Sequence, residues 1–253
     1  MKLSIIISVL NSNEILRRQF LHWSKMDLSD DVEFIIMDDG SEPPLQYPDH
    51  ELKNLYIHCT NDKRPWTVEL ARNKGAKLAR GEYLLMTDID YIIPKDAIES
   101  ALLLKEDKMR FKRKFGVLDE NGDFTEDYDV LRKYGLLEER IKVKGNYLPP
   151  HPNNFVMRKE TFWKLGGYRE DLVERTYPNK GDTYFKRVWA VAFDNKEVTM
   201  CDYRPTLYMF PNGQYCGDVD YNPFGLFHNL TRKTERNVWY VRMLDKMPVT
   251  VSN

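Results

Sequence analysis

The sequence predicts an α/β protein with a mostly parallel sheet covered by helices. Three observations predict it. Apolar, β-branched runs alternate with helically spaced segments over the first hundred residues or so, the connections are short, and two of the runs end in aspartate pairs. Those pairs are Asp38 and Asp39 after Val32–Met37, and Asp88 and Asp90 after Tyr83–Thr87. Acid at the end of a buried run is costly unless it binds something. In an open α/β sheet, ligands bind at the carboxyl ends of parallel strands, where a nucleotide and its metal would meet these carboxylates.

The elements follow in order. Leu3–Leu10 reads as a buried strand, too short for a membrane span and interrupted by Ser4 and Ser8. Glu14–Trp23 carries helical spacing through Ile15, Leu16, Phe20 and Trp23, and Val32–Met37 is a second strand broken by Gly40-Ser41-Glu42-Pro43-Pro44. Leu55–Cys59 is a third strand, Val68–Ala79 an alanine-rich helix closed by Gly81, and Tyr83–Thr87 a fourth strand. Pro94 suits the first turn of a further helix carrying Ile98, Ala101, Leu102 and Lys105.

From Lys105 to Pro150 the chain turns charged and less periodic. Phe115–Phe124 reads as a hairpin turning at Asn121-Gly122; its glycine falls at the fourth position rather than the sixth, which argues against a calcium loop. Asn154–Met157 is another strand, and Lys159–Leu165 a short helix stopped by Gly166-Gly167. This divides the chain into residues 1–104, which carry both aspartate pairs, and residues 105–253, a second half of the same domain.

Composition narrows the partners. The 253 residues hold 38 Lys plus Arg against 39 Asp plus Glu, a formal net charge of −1, so no global field draws the chain to nucleic acid or anionic lipid. Cys59, Cys201 and Cys216 are odd in number and lack a CxxC pair, which argues against a disulfide framework or thiolate zinc site and fits a reducing cytosol. No apolar segment reaches membrane-spanning length and no cleavable leader is evident, so the expectation is a cytoplasmic protein, with any membrane contact peripheral. Lys108–Lys114 holds five basic residues in seven; it reads as a solvated helix face, or as a positive patch for a phosphorylated acceptor or a membrane surface.

The local motifs carry the chemistry. Side chains two apart on an extended segment point the same way, so Asp88 and Asp90 can share one target while Ile89 packs backward into the core. A divalent cation on a diphosphate is such a target, since Mg²⁺ or Mn²⁺ takes one or two carboxylates plus phosphate oxygens and waters. Without that target, the pair is a solvated turn. Asp38-Asp39-Gly40-Ser41 can accept hydrogen bonds from a base or ribose while Gly40 turns the chain tightly, or it can be an Asx-type turn.

Together with Ala71-Arg72-Asn73-Lys74-Gly75, Ala79-Arg80-Gly81-Glu82-Tyr83 and Asn154–Tyr168, these two motifs resemble the signature of family 2 glycosyltransferases, over roughly residues 3 to 190. The resemblance implies the GT-A fold: a Rossmann-like, mostly parallel central sheet flanked by helices, with an acceptor-side extension. It implies that residues 1–104 bind the nucleotide sugar and residues 105–253 bind the acceptor and supply the base. In that reading Ser8, Leu10, Asn11, Asp38 and Asp39 hold the nucleoside, and Arg72 and Asn73 position the donor. Asp88, Ile89 and Asp90 address ribose, metal and diphosphate. Trp66 flanks the donor and His228 completes the metal shell, imidazole favouring Mn²⁺ over Mg²⁺. His151 and Asn154 face the acceptor.

The family's catalytic base is an acid beyond the Gly-Gly-aromatic element, usually in a Glu-Asp pair. Here the segment reads Gly181-Asp182-Thr183-Tyr184, so the resemblance selects Asp182, with Glu170, Asp171 and Glu174 as competitors. The departures are Gly181 in the usual glutamate position and Tyr184 where a second acid is common. The expected activity is metal-dependent, inverting transfer of a sugar from a nucleoside diphosphate sugar, UDP-linked by family expectation. The acceptor is a hydroxyl on a glycan, lipid-linked saccharide, protein or small molecule; nucleic acid is not an expected partner. A noncatalytic carbohydrate-binding or partner module is the first alternative. A nucleotidyltransferase is the second, weakened because Leu10-Asn11-Ser12-Asn13 lacks the glycine and lysine that cradle a triphosphate.

Overall fold

The computed structural model describes residues 1–62, 67–134, 136, 146–171 and 181–211. Its main sheet has six strands in the order β3 (Leu55–Cys59), β2 (Val32–Asp38), β1 (Leu3–Val9), β4 (Tyr83–Asp88), β11 (Phe155–Arg158) and β6 (Lys108–Arg110). The first four are mutually parallel, and β11 runs antiparallel to both its neighbours. Between β1 and β4 the strand order reverses, creating the crevice in which open α/β sheets bind ligands.

Both faces of β1, β2 and β4 are buried, which explains their near-continuous apolar character, while the edge strand β3 is only half-buried. Ile5, Ile7, Phe34, Ile36 and Leu85 face one cluster with Phe20 and Trp23 of α1 (Asn13–Ser24). Ile6, Ile35, Met37, Leu84 and Met86 face the other, under Ala71 and Ala76 of α2 (Val68–Leu78). Each such fully buried large side chain contributes about 1.5–3 kcal/mol relative to exposure. Helix α2 lies so close that a Cβ on Gly75 would come within 2.7 Å of Ile6 Cγ2.

Three details differ from the sequence expectation. Gly81 is not a left-handed helix stop: Ala79 ends α2 in an extended conformation, and a Cβ on Gly81 would lie 2.6 Å from the Ser4 amide nitrogen. The helix after Pro94, α3 (Lys95–Leu102), ends before Lys105.

The third is the basic run, which is neither a helix face nor a single patch. It divides into β6 and β7 (Lys112–Phe115), with Lys108 fully buried and Arg113 4% exposed. Strand alternation sends successive charges to opposite sides, so the count of basic residues overstates the exposed charge. Lys108 Nζ lies 3.5 Å from the Phe155 ring centroid and 4.4 Å from that of Trp189.

A second sheet is ordered β10 (Tyr147–Leu148), β7, β12 (Thr206–Met209), β5 (Tyr91–Ile92). The expected hairpin forms from β8 (Val117–Leu118) and β9 (Phe124–Thr125), followed by α4 (Tyr128–Lys133). Strand β11 leads into α5 (Lys159–Lys164), which stops at Gly166 and Gly167, both with positive φ. Helix α6 spans Gly181–Asp194. Register aligns Arg110, Phe155 and Met86 across β6, β11 and β4, so the chain leaves the main sheet after β6 and returns into β11 along one rim.

Candidate functional site

That rim is where the acids gather. Register pairs Val9 with Asp38 and Ser8 with Asp88, so the aspartates close adjacent parallel strands on either side of β1. Leu10 and Asn11 follow directly. Asn11 adopts a left-handed conformation, φ 49°; its backbone N–H donates to Ser41 Oγ and its Oδ1 accepts from the Glu42 amide.

Asp38 is 3% exposed and braces the loop after β2: it accepts the amides of Gly40, Ser41 and Leu45 at 3.1, 2.7 and 3.2 Å. The Asx-type turn is therefore present, and three hydrogen bonds compensate a buried carboxylate. Asp39 accepts from the hydroxyls of Thr60 and Thr67, joining the end of β3 to the residue before α2.

Asp88 is a quarter exposed; its Oδ1 meets Arg72 Nη2, while its Oδ2 lies 3.5 Å from His151 Nδ1. Asp90 is 4% exposed, with Oδ1 lacking a hydrogen-bond partner among the described residues. Burial and the neighbouring Asp88 charge raise its pKa, against the opposing pull of Arg113 and Arg72. Ile89 packs in the core as expected. Gln19, fully buried on α1, fixes this turn by donating to the carbonyls of Ile89 and Tyr91 at 3.3 and 2.8 Å.

Arg72, 3% exposed, is the central cation. Besides Asp88 it faces the Tyr168 ring at 5.5 Å, and Asn153 accepts from its two terminal nitrogens at 2.8 and 3.1 Å when the amide is turned so that its nitrogen meets Tyr168 Oη. Asn73 points elsewhere, to the Tyr168 backbone and Glu170 Oε1. Asn154 accepts from the Thr87 hydroxyl at 3.1 Å, and its Nδ2 is buried without a partner among the described residues. Burial lowers the pKa of His151, whose Nδ1 lies 3.3 Å from the Asn153 amide nitrogen.

Asp182 stands in the first turn of α6, half-buried, close enough to act electrostatically on Arg72, His151, Tyr168 and Glu69. Its Oδ1 accepts the Thr183 amide and hydroxyl at 2.5 and 3.2 Å. Of its competitors, Glu170 is engaged by Asn73 and Lys77, and Asp171 pairs with Arg169 at the surface. Trp66, Glu174 and His228 lie outside the described residues.

The sequence reading did not anticipate Gln19, Glu69, Arg113, Asn153 or Tyr168 as parts of this site. Arg113 was visible only as one charge in a basic run. Tyr168 closes the Asn154–Tyr168 segment, where nothing in the sequence points to its contact with Arg72.

The fit of a divalent cation can be judged from the donors. Among the described residues no group of three His, Cys, Asp or Glu side chains is gathered to hold a metal. Asp88 and Asp90 nevertheless provide two carboxylates, one with an orphaned buried oxygen, at the end of β4 where the strand order reverses. That suits a hard cation whose shell is completed by diphosphate oxygens and water.

Residues 4–166 match the model of Glycosyl transferase family 2, and the chain belongs to that family. It is similar to the uncharacterized glycosyltransferase YfnE of Bacillus subtilis (strain 168), 28% identical over 109 residues, which are 43% of this chain and 28% of the relative. Among solved structures it resembles S. aureus TarS 1-349 in complex with UDP-GlcNAc, with TM-score 0.57 and 18% identity, covering 86% of this chain and 61% of that one. S. aureus TarS 1-349 alone gives TM-score 0.52 and 17% identity, covering 83% and 60%. These likenesses establish the GT-A fold, while the chain spans only part of each relative's length.

Proposed function

We propose that this protein transfers a sugar from a nucleoside diphosphate sugar to an acceptor hydroxyl, with inversion at the anomeric carbon. The carrying observation is the convergence of Asp88, Asp90 and Arg72 at the rim of β1 and β4, with Asp182 on α6 within electrostatic reach of Arg72. A UDP-sugar is the favoured donor, supported by the UDP-GlcNAc bound to the similar TarS structure.

In this reading residues 1–104 hold the donor. Asp38 keeps the loop after β2 in place, and Ser8, Leu10, Asn11 and Asp39 border the nucleoside. Arg72, already buried and oriented, offers its charge to the diphosphate; Asn73 positions the Tyr168 segment behind it. Asp88 and Asp90 would hold Mn²⁺ or Mg²⁺. When bound, the cation stabilises negative charge on the departing diphosphate.

Residues 105–253 serve the acceptor, a glycan, lipid-linked saccharide or small molecule. His151 and Asn154 border it from the residues entering β11. Asp182 accepts the hydroxyl proton as the acceptor oxygen bonds to the anomeric carbon and the bond from that carbon to the diphosphate breaks. No helix among the described residues is long and apolar enough to cross a membrane.

Incubation with a panel of nucleotide sugars, with Mn²⁺, with Mg²⁺ and with chelator, tests the reading. Donor cleavage that needs the cation and disappears in Asp88→Ala and Asp90→Ala is the expected result. Sugar binding without cleavage of any donor would instead identify a binding module. A product with retained anomeric configuration would remove Asp182 as the base of a single displacement.

A further inference from the structure

Position 181 carries glycine where the family resemblance leads one to expect glutamate, and another element fills the vacated space. A Cβ built on Gly181 would lie 2.3 Å from Glu69 Cγ, 2.4 Å from its Oε1 and 2.7 Å from its Cδ. All three nearest atoms belong to one side chain, from the first turn of α2. Glu69 is only 3% exposed, and its Oε2 has no hydrogen-bond partner among the described residues. A buried carboxyl oxygen left unpaired costs free energy, so its retention beside Asp182 calls for a function.

We propose that Glu69 supplies from α2 the second carboxyl of an acid pair whose other member is Asp182, and that it acts through Asp182 as a positioning residue. This deepens the proposed function and rests on the reading of Asp182 as the base.

The surrounding charges fit the pairing. Glu69 is faced by Arg72 one turn along α2, by Asp182 from α6 and by Asp39 from the end of β2. Asp182 in turn acts on Arg72, His151 and Tyr168. Burial holds the Glu69 proton to higher pH than an ordinary carboxyl would. Once ionised, Glu69 places a second negative charge beside Asp182, and the two carboxyls take up a proton as a pair. Gly181 is then a fitted partner of Glu69, since any side chain there would evict it.

Moving the carboxyl between elements provides the test. Glu69→Gln keeps the shape and removes the titration; the acidic limb of kcat/KM should shift by about one pH unit toward acid, with Tm retained. Glu69→Ala should lower kcat by about tenfold. Gly181→Glu alone should lower Tm, because two side chains compete for one volume. The double variant Glu69→Ala/Gly181→Glu returns a carboxyl from α6 into the emptied space and should recover most of the lost kcat.

A Glu69→Gln enzyme with the wild-type kcat and pH profile would overturn the proposal. So would a double variant no more active than Glu69→Ala. The base reading fails separately, through an Asp182→Ala enzyme that keeps wild-type kcat, and its failure would remove the pair as well.

Discussion

Asn73 grips Tyr168 by both of its backbone groups: Nδ2 donates to the Tyr168 carbonyl at 2.7 Å, and the Tyr168 amide donates to Oδ1 at 3.0 Å. The contact spans from α2 to the segment after α5. It sets the Tyr168 ring against Arg72, so one amide side chain fixes the environment of the central cation. Gly167 lies just before the grip with φ 62°, and a Cβ there would come within 3.0 Å of Asn73 Oδ1.

Asn73→Ala leaves a buried backbone donor and acceptor unpaired and should cost about 3 kcal/mol. Chemical denaturation checks the stability loss. Donor KM should rise as well, because Arg72 loses the ring that flanks it; an unchanged KM would confine Asn73 to a stability role.

Lys108 makes a prediction about pH. Burial and the nearby Arg110 charge lower its pKa well below the ordinary lysine value. Between that lowered value and the ordinary one the unfolded chain binds the extra proton, so this residue's contribution to stability rises with pH. Lys108→Met should therefore stabilise the protein near neutral pH by about 1 kcal/mol, raising Tm by about 2–4 °C. The gain should shrink as pH approaches the ordinary lysine value; a gain independent of pH would show that Lys108 is not the titrating group.

Metal affinity should also depend on pH. The pKa of Asp90 is raised, so in the proposed metal site its proton would compete with a bound cation until that pKa is passed. Apparent Mn²⁺ affinity should climb by up to about tenfold per pH unit below it, as read by calorimetry or electron paramagnetic resonance. Asp90→Asn should bind weakly and without this slope. Wild-type affinity that is flat with pH would exclude Asp90 from the shell.

Gly81→Ala should destabilise the fold by about 1–3 kcal/mol, because the added Cβ meets the backbone of Ser4 and Leu3, which cannot swing aside, as well as Ser4 Oγ. Thermal melts of this variant and of Leu78→Ala, at an exposed position 43% accessible, should differ accordingly.

The parallel strands and their helices were legible because each has a local cause. Val32–Met37 is apolar on both faces, and Val68–Ala79 has helical periodicity with good helix formers. Strands β6 and β7 were not legible, because Lys108 and Arg113 read as solvated charge and are buried only through tertiary contacts. The site divided in the same way. The placement of Asp38, Asp88 and Asp90 at strand ends was legible from the apolar runs before them, whereas Gln19 and Glu69 lie on helices whose spacing says nothing about which loop they reach. Only the glycine at 181 marked the place where Glu69 arrives.

The route of the chain between β6 and β11 has a consequence for how such a protein can be altered. It departs at Arg110 and re-enters at Phe155, two posts set side by side along the rim that carries the aspartates. The chain between them is therefore tied at both ends to one rim, which makes that rim a natural graft point. Lengthening or exchanging that stretch would leave Ser8, Asp38 and Asp88 in register, because none of their strands runs through it.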